Sequence, residues 1–392
     1  MEFSQDPPEE HSWRNSMMST EEFLHPFEEG GVVYFPRADR LVLLNQTGRL
    51  VWEMLGEGFD REDVAGFLAE HFEVAYGRAL HDVEQVVAQI MLARTDDDTR
   101  AMVPAPASPA PIEAVAGAAP LEDCGVFQFG TSRISVASSV PDITGMMWRF
   151  RHRSIGDAAG AEKLEISEAG SAYRVSFRGC VCEEKTTRRL GASVTQLLLK
   201  LEYPDTGLLA YCHAAAVSHR GLGVLMPGRS GAGKSTLTAF LVRNGFAYLG
   251  DDIIAIEEST RALLPLPSCL SIKSGSWQVL EPIYPVLRQV PAVNRYGRSM
   301  RYVEPQGNYE TMTRAEASVI VFPTYRSGET TRLSALPPLQ TMARLIGTHS
   351  TLMTPGTQTK LGKLIRFVEE TPAYELTYSE LPEAMQAIDD RQ

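Results

Sequence analysis

The residues able to do chemistry gather in one stretch of the chain. Gly228, Arg229, Ser230, Gly231, Ala232, Gly233, Lys234 and Ser235 follow an apolar run at 223–226 and precede Leu237, Phe240, Leu241 and Val242, which recur at helical spacing. A glycine-rich turn between a buried strand and a helix start can aim successive backbone N–H groups at an anion, and the helix dipole favours negative charge there. In such a loop Lys234 offers a cation to the β- and γ-phosphates of a nucleotide, Ser235 offers a hydroxyl to Mg2+, and Thr236 completes the nucleotide contacts. Sixteen residues after Ser235, the adjacent acids Asp251 and Asp252 open a second apolar strand over 253–256. Two carboxylates this near the loop suit one partner for a metal or a supporting hydrogen bond, and one base toward a hydroxyl acceptor. The alternative is a solvated turn, but a charged pair between two apolar runs needs partners if it is buried. His213 lies upstream; taken alone it reads as a satisfied core or turn histidine.

The order His213, apolar strand, GxSGxGKS loop, helix ending at Asn244 and Gly245, then an Asp pair resembles the catalytic core of the HPr kinase/phosphorylase family. The stretch 243–252, RNGFAYLGDD, resembles that family's RGHxLVADD segment. The resemblance, with its flanks, takes in the latter half of the chain. It implies an α/β P-loop kinase domain using ATP and Mg2+, with His213, Asp251 and Asp252 around an acceptor serine hydroxyl and the γ-phosphate. Asp251 would take the hydroxyl proton with help from Asp252 and His213, Lys234 would hold the γ-phosphate, and Ser235 and Asp252 would hold the metal. It also implies homo-oligomerisation. HPr kinases follow the loop serine with Glu, whereas Thr236 stands here, as in the HPr-kinase-related branch; phosphorolysis and HPr as substrate therefore do not carry over. Residues 265–273 resemble the short strand ending in Lys that follows the family's core, so Lys273 either meets a phosphate or the acceptor or lies at the surface. The segment 294–309, with Arg295, Gly297, Arg298, Arg301 and Gly307, reads as a loop that either closes over nucleotide or is simply solvated.

Those elements need a body to position them. The chain has 392 residues, 44% apolar and 22% charged, enough for two or three ordinary globular domains. A net charge of −12 argues against a nucleic-acid-binding surface. No apolar run is long enough for a membrane span, and the acidic start is unlike a signal peptide, so a cytoplasmic protein is expected. Cys124, Cys180, Cys182, Cys212 and Cys269 form an odd, scattered set without zinc-site spacing, and free thiols are expected.

Residues 1–24 are acidic and Pro-rich and read as a disordered tail, with order beginning at Gly31. Strands are expected at 32–35 and 40–44, joined by a turn at 36–39. Asn45 then caps a helix carrying Leu50, Val51, Met54 and Leu55. Asp60 caps a second with Val64, Phe67, Leu68 and Phe72 at helical spacing, and residues 82–92 form a third with Val83, Val86, Val87 and Ile90 inward. This α+β, winged-helix-like module at 25–100 lacks the basic helix that DNA contact requires. The stretches 41–48 and 51–55, with Asp63, Val64, Ala65, Asp82 and Val83, resemble the PqqD family of peptide-recognition domains. That resemblance implies capture of a ribosomal precursor's leader peptide as an added strand on a sheet edge; the alternative is a structural cap with Trp52 as a core anchor.

An acidic run at 96–98 and a Pro/Ala-rich linker at 101–121 separate this module from a second domain at 122–392, comprising a β-rich lobe at 122–210 and a core at 211–392. In the lobe, strands are expected at 133–137, 163–166 and 173–177 and a helix at 194–201, without recognisable chemistry. In the core, 317–322 reads as a buried strand, 340–346 as a helix and 374–378 as a final edge strand before a helix near Leu381. The functional expectation is an ATP-dependent kinase acting on a serine of a precursor peptide. The alternatives are a nucleotide-switched peptide chaperone and a small-metabolite kinase.

Overall fold

The computed structural model describes residues 22–35, 40–94, 102–103, 120–266, 268–295, 298–305, 314–348, 351–352 and 357–391. The turn at 36–39, the acidic run at 96–98, residues 1–21 of the tail and 104–119 of the linker lie outside them. The chain divides into two compact units, Met1–Thr99 with Pro355–Gly362, and Arg100–Thr354 with Lys363–Gln392.

In the first unit, β1 (Phe23–Phe27), β2 (Gly30–Phe35) and β3 (Arg40–Asn45) form an antiparallel sheet in the order β1-β2-β3. Order therefore begins earlier than Gly31, and the expected disordered tail runs too far. Strand β1 escapes a pattern search because Pro26 interrupts it, which only an edge strand tolerates. Gly30 has φ +153°, and a Cβ there would lie 2.0 Å from the Leu44 carbonyl oxygen, so glycine is required where β2 passes close to β3.

Helices α1 (Gln46–Glu57), α2 (Arg61–His71) and α3 (Tyr76–Arg94) follow. Asn45 accepts from the Gly48 N–H at 2.8 Å and Asp60 from the Asp63 N–H at 2.7 Å, so both expected caps form. Two apolar clusters hold the unit: Val51, Leu55, Val64, Leu68, Val83 and Val87 between the helices, and Val33, Phe35, Leu44, Trp52 and Ile90 against the sheet. The Trp52 ring meets Phe35 edge-on at 6.0 Å. Phe67 and Phe72 do not point inward as their spacing predicts; they are 42% and 47% exposed because Val64, Ala65 and Leu68 take the inner face. The third helix also starts six residues before the expected Asp82.

In the second unit a six-stranded sheet runs β4 (Met102–Val103), β9 (Cys180–Glu184), β8 (Ala172–Phe177), β7 (Glu162–Ala169), β6 (Ser132–Ser138), β5 (Glu122–Phe129). Met102 and Val103, expected in the linker, pair with β9 instead. Helix α4 (Pro141–Met147), a 3-10 turn at Trp148–Arg153 and α5 (Thr187–Glu202) cover this sheet through Ile143, Met147, Phe150, Leu190, Val194 and Leu198. The same core continues into Tyr211, Ala255 and Leu264 of a four-stranded sheet ordered β15 (Leu263–Pro265), β14 (Ile254–Glu257), β10 (Leu208–Cys212), β21 (Thr351–Leu352). The lobe is thus fused to the remainder of the unit by one continuous apolar interior.

The central sheet is ordered β13 (Ala247–Gly250), β11 (Ala214–His219), β12 (Leu222–Pro227), β19 (Glu316–Tyr325), β22 (Ala373–Tyr378), β20 (Arg332–Ala335). Strands β12, β19 and β22 are mutually parallel, and the other neighbours are antiparallel. Strand β22 is internal rather than the expected edge; the four residues of β20 are too few to signal a strand in the sequence. Helices α6 (Lys234–Arg243) and α10 (Leu381–Asp389) pack on the sheet through Leu237, Leu241, Val242, Ala384 and Ile388.

A small sheet, β16 (Leu270–Lys273), β18 (Arg298–Val303), β17 (Val293–Arg295), occupies much of the segment expected to be a loop. Met300 and Tyr302 alternate inward there, which Arg298 and Arg301 beside them obscure. Residues 296–297 and 306–309 of that segment lie outside the described residues. Helices α7 (Trp277–Leu280), α8 (Pro338–Gly347) and α9 (Gln358–Glu370) complete the chain. No helix among the described residues is long and apolar enough to cross a membrane, and no disulfide joins any of the five cysteines.

Candidate functional site

Strand β12 carries the chain into the glycine-rich loop and α6 takes it out. Gly231 and Gly233 have φ +96° and +93°, a region where L side chains are strained. At Gly233 there is no room either, since a Cβ would lie 2.4 Å from the Tyr378 hydroxyl. Both glycines thus hold the loop in backbone turns that other residues would strain, ahead of a helix start where anions are favoured.

Lys234 is buried, and its ammonium donates to the Gly228 carbonyl and, at 3.5 Å, to that of Arg229. Burial lowers its pKa, while the charges of Asp252 and Asp251 act in the opposite sense. The Ser235 hydroxyl donates to Asp251 Oδ1 at 3.2 Å. The Ser271 N–H donates to Asp251 Oδ2 at 3.0 Å, and the Ser268 hydroxyl to the Asp251 carbonyl at 3.2 Å. Asp251 is 1% exposed, so the solvated-turn alternative does not hold for it. Burial, and then the neighbouring Asp252 charge, hold its carboxyl above the usual carboxylate range.

Asp252 has φ +81°, a left-handed conformation that Asp and Asn tolerate better than most residues. Its Oδ2 pairs with Arg149 Nη1 at 3.1 Å and its carbonyl meets His213 Nδ1 at 3.1 Å, while 21% of the side chain stays exposed. Arg149 is buried and comes from the 3-10 turn at Trp148–Arg153, in a lobe whose sequence carries no recognisable chemistry. The only local signal is a run of basic residues, Arg149, Arg151, His152 and Arg153, which reads as a solvated face until the fold turns Arg149 inward.

On the loop's outer side, Lys273 Nζ and Arg298 Nη1 donate to the Ser230 hydroxyl at 2.7 and 2.6 Å. Lys273 thus joins the loop rather than the general surface. Arg301 lies instead over the Trp277 ring, 4.0 Å from its centroid. Thr236 donates to the Ser276 hydroxyl at 2.7 Å. The loop, Lys234, Ser235, Asp251, Asp252 and His213 therefore converge on the start of α6, and Arg149, Ser271 and Arg298 join them from distant segments. The Ser235 hydroxyl and the Asp251 carboxylate are hard oxygen donors side by side. Among the described residues no group of three or more His, Cys, Asp or Glu could hold a metal by itself. One or two protein oxygens supplemented by phosphate oxygens and water is the usual way in which Mg2+ is bound.

Burial, ahead of all other causes, pushes the His213 pKa from 6.5 down to about 4. A depressed folded-state value means that neutral His213 favours the fold above pH 6.5, and that this contribution is lost as pH falls from 6.5 through 4. Between pH 7 and 4.5, His213→Gln is expected to lose about 2 kcal/mol less unfolding free energy than the wild type. Asp251 shifts in the opposite sense but is common to both proteins, so urea unfolding at the two pH values isolates the histidine. Equal losses would remove His213 from the acid response.

Residues 30–94, spanning β2 to α3, match the family described as Coenzyme PQQ synthesis protein D (PqqD). No protein of curated function matches the chain.

Proposed function

We propose, from a PqqD-type domain at residues 30–94 joined to the site around α6, that this chain is an ATP-dependent kinase for a ribosomally made precursor peptide. The domain would bind the peptide's leader, and the site would phosphorylate a hydroxyl, serine in the first instance, on its core. The observation that carries the reading is the convergence at a glycine-rich helix start of Ser235 bonded to Asp251, with buried Lys234 under the charges of Asp252 and Asp251. Strand β12, the loop and α6 support the reading as a P-loop kinase domain of HPr-kinase type, by their strand–loop–helix order.

Phosphoryl transfer passes through a loose transition state, so positioning and charge neutralisation dominate. The loop N–H groups and Lys234 would hold the β- and γ-phosphates. Ser235 is the residue fitted to hold Mg2+, its hydroxyl set on the Asp251 carboxylate; the metal would neutralise phosphate charge when bound. Asp251 is sealed, with one carboxylate oxygen on Ser235 and the other on the Ser271 amide, whereas Asp252 keeps an exposed face. The acceptor hydroxyl is therefore assigned to Asp252, exchanging the roles the sequence reading gives the two acids. Arg149 pairs with Asp252 and aims it, and a late proton transfer needs position more than basicity. His213, neutral at pH 7, fixes the Asp252 backbone through its carbonyl.

For the leader, β3 is an edge strand that pairs only with β2 among the described strands. A peptide added there would gain backbone hydrogen bonds along residues 40–45. The deciding experiment supplies Mg·ATP and each short peptide found encoded beside this chain's gene, and follows labelled phosphate onto the peptide. Full-length precursor should be modified and should slow amide exchange at 40–45. Deleting the N-terminal unit should raise the apparent KM for full-length precursor roughly ten-fold or more, with little effect on a leaderless peptide. ATP binding without transfer to any peptide would favour the nucleotide-switched chaperone. Transfer to a metabolite alone would remove the peptide from the reading.

A further inference from the structure

The central sheet sets two different groups on opposite flanks of the glycine-rich loop. Asp251 and Asp252 follow β13, which lies on the β11 side of β12. On the other side the neighbours of β12 are β19 and then β22, both parallel to it, so their C-terminal ends open toward the same edge as the loop. Leu225 pairs with Ile320, so β19 continues past the end of β12 and finishes beside the loop at Tyr325. There the Tyr325 N–H donates to the Ala232 carbonyl at 3.2 Å. Tyr378, its register partner on β22, donates its hydroxyl to the Gly233 carbonyl at 3.3 Å.

The two tyrosines differ in what they offer. Tyr378 is 1% exposed and its ring meets Tyr325 edge-on, with centroids 5.7 Å apart, so it acts as a buttress. Tyr325 is 51% exposed, although it is a large aromatic at the end of a buried strand. Its Cβ would stand 3.2 Å from a Cβ added at Gly233, which places the root of the ring at the start of α6. A planar apolar face is thus held on a rigid strand end, against the loop, on the flank away from the acids. Crevices outside the C-terminal ends of parallel strands are where open α/β sheets take ligands.

We propose that Tyr325 is the stacking platform for the base of a purine nucleotide whose phosphates lie in the loop at Gly228–Gly233. This rests on the nucleotide reading of the loop and adds to it the direction in which the nucleotide runs: terminal phosphate toward Asp251 and Asp252, base toward β19. Aromatic stacking contributes to affinity without base-specific hydrogen bonds, and a purine covers more ring than a pyrimidine.

The test is calorimetric titration of the full chain with Mg·ATP, Mg·CTP and inorganic tripolyphosphate, which has the phosphates and no base. Tyr325→Ala should weaken ATP roughly ten-fold or more and narrow the preference for ATP over CTP, while tripolyphosphate affinity stays within about two-fold. Tyr325→Phe should behave as wild type, because the ring and not the hydroxyl is used. Equal loss of ATP and tripolyphosphate in Tyr325→Ala, or no loss of either, overturns the platform while leaving the loop reading intact. Wild-type protein that binds neither ATP nor tripolyphosphate overturns the loop reading and the platform with it.

Discussion

Asp252→Asn is expected to lower phosphate transfer by roughly 10² to 10⁴, the range for loss of a general base, while Mg·ATP still binds. Asn is the substitution of choice because it tolerates the left-handed backbone at φ +81° and keeps the side chain's size and one acceptor oxygen. Asp251→Asn should fail differently. Its carboxylate sits on Ser235, so the loss should fall on Mg2+-dependent nucleotide affinity as well as on rate. Arg149→Met should share the Asp252→Asn signature in part: a lower rate at unchanged nucleotide affinity, because the guanidinium no longer holds the Asp252 carboxylate in place. Single-turnover transfer and equilibrium nucleotide binding, measured on all three variants, separate these outcomes. If Asp251→Asn loses only rate and Asp252→Asn only affinity, the two acids exchange roles again.

Lys234→Ala is expected to lower transfer by at least about 10³, since a cation on the transferring phosphoryl group is worth 10³ to 10⁵ in the best-studied cases. The effect should be larger than a surface lysine could produce. Lys234 is only 6% exposed, and its ammonium lies inside the loop on the Gly228 carbonyl. Burial of the ammonium costs free energy that a phosphate would return, so the variant should be no less stable than wild type without nucleotide and should lose most of the thermal shift that Mg·ATP gives. Leader binding by the first unit should be unchanged. Full transfer by Lys234→Ala would take the loop out of the mechanism, whatever the variant's stability.

What the sequence determined by itself is what short-range geometry dictates. The strand, glycine loop and helix from Leu222 to Arg243 are legible because alternation, left-handed glycines and helical spacing all act within a few residues. Asn45 and Asp60 are legible as caps for the same reason, each bonding an N–H three residues on. The Asp pair could be named but not sorted. Which acid meets Ser235 and which meets Arg149 depends on the φ of Asp252 and on a turn 103 residues away in sequence. Local patterns also misjudged elements whose fate is set by neighbours. Phe67 and Phe72 have helical spacing but lose the inner face to Val64, Ala65 and Leu68, and β22 becomes internal because the short β20 pairs with it. Tyr325 and Tyr378 are unremarkable in the sequence and meet the loop only because β12, β19 and β22 lie parallel in one sheet. Periodicity reports which side of an element is apolar; it carries no information about which distant backbone will arrive to cover that side or to complete a charge pair. Those partners are chosen when the sheets assemble, by burial and electrostatics acting between segments that no sequence window holds together.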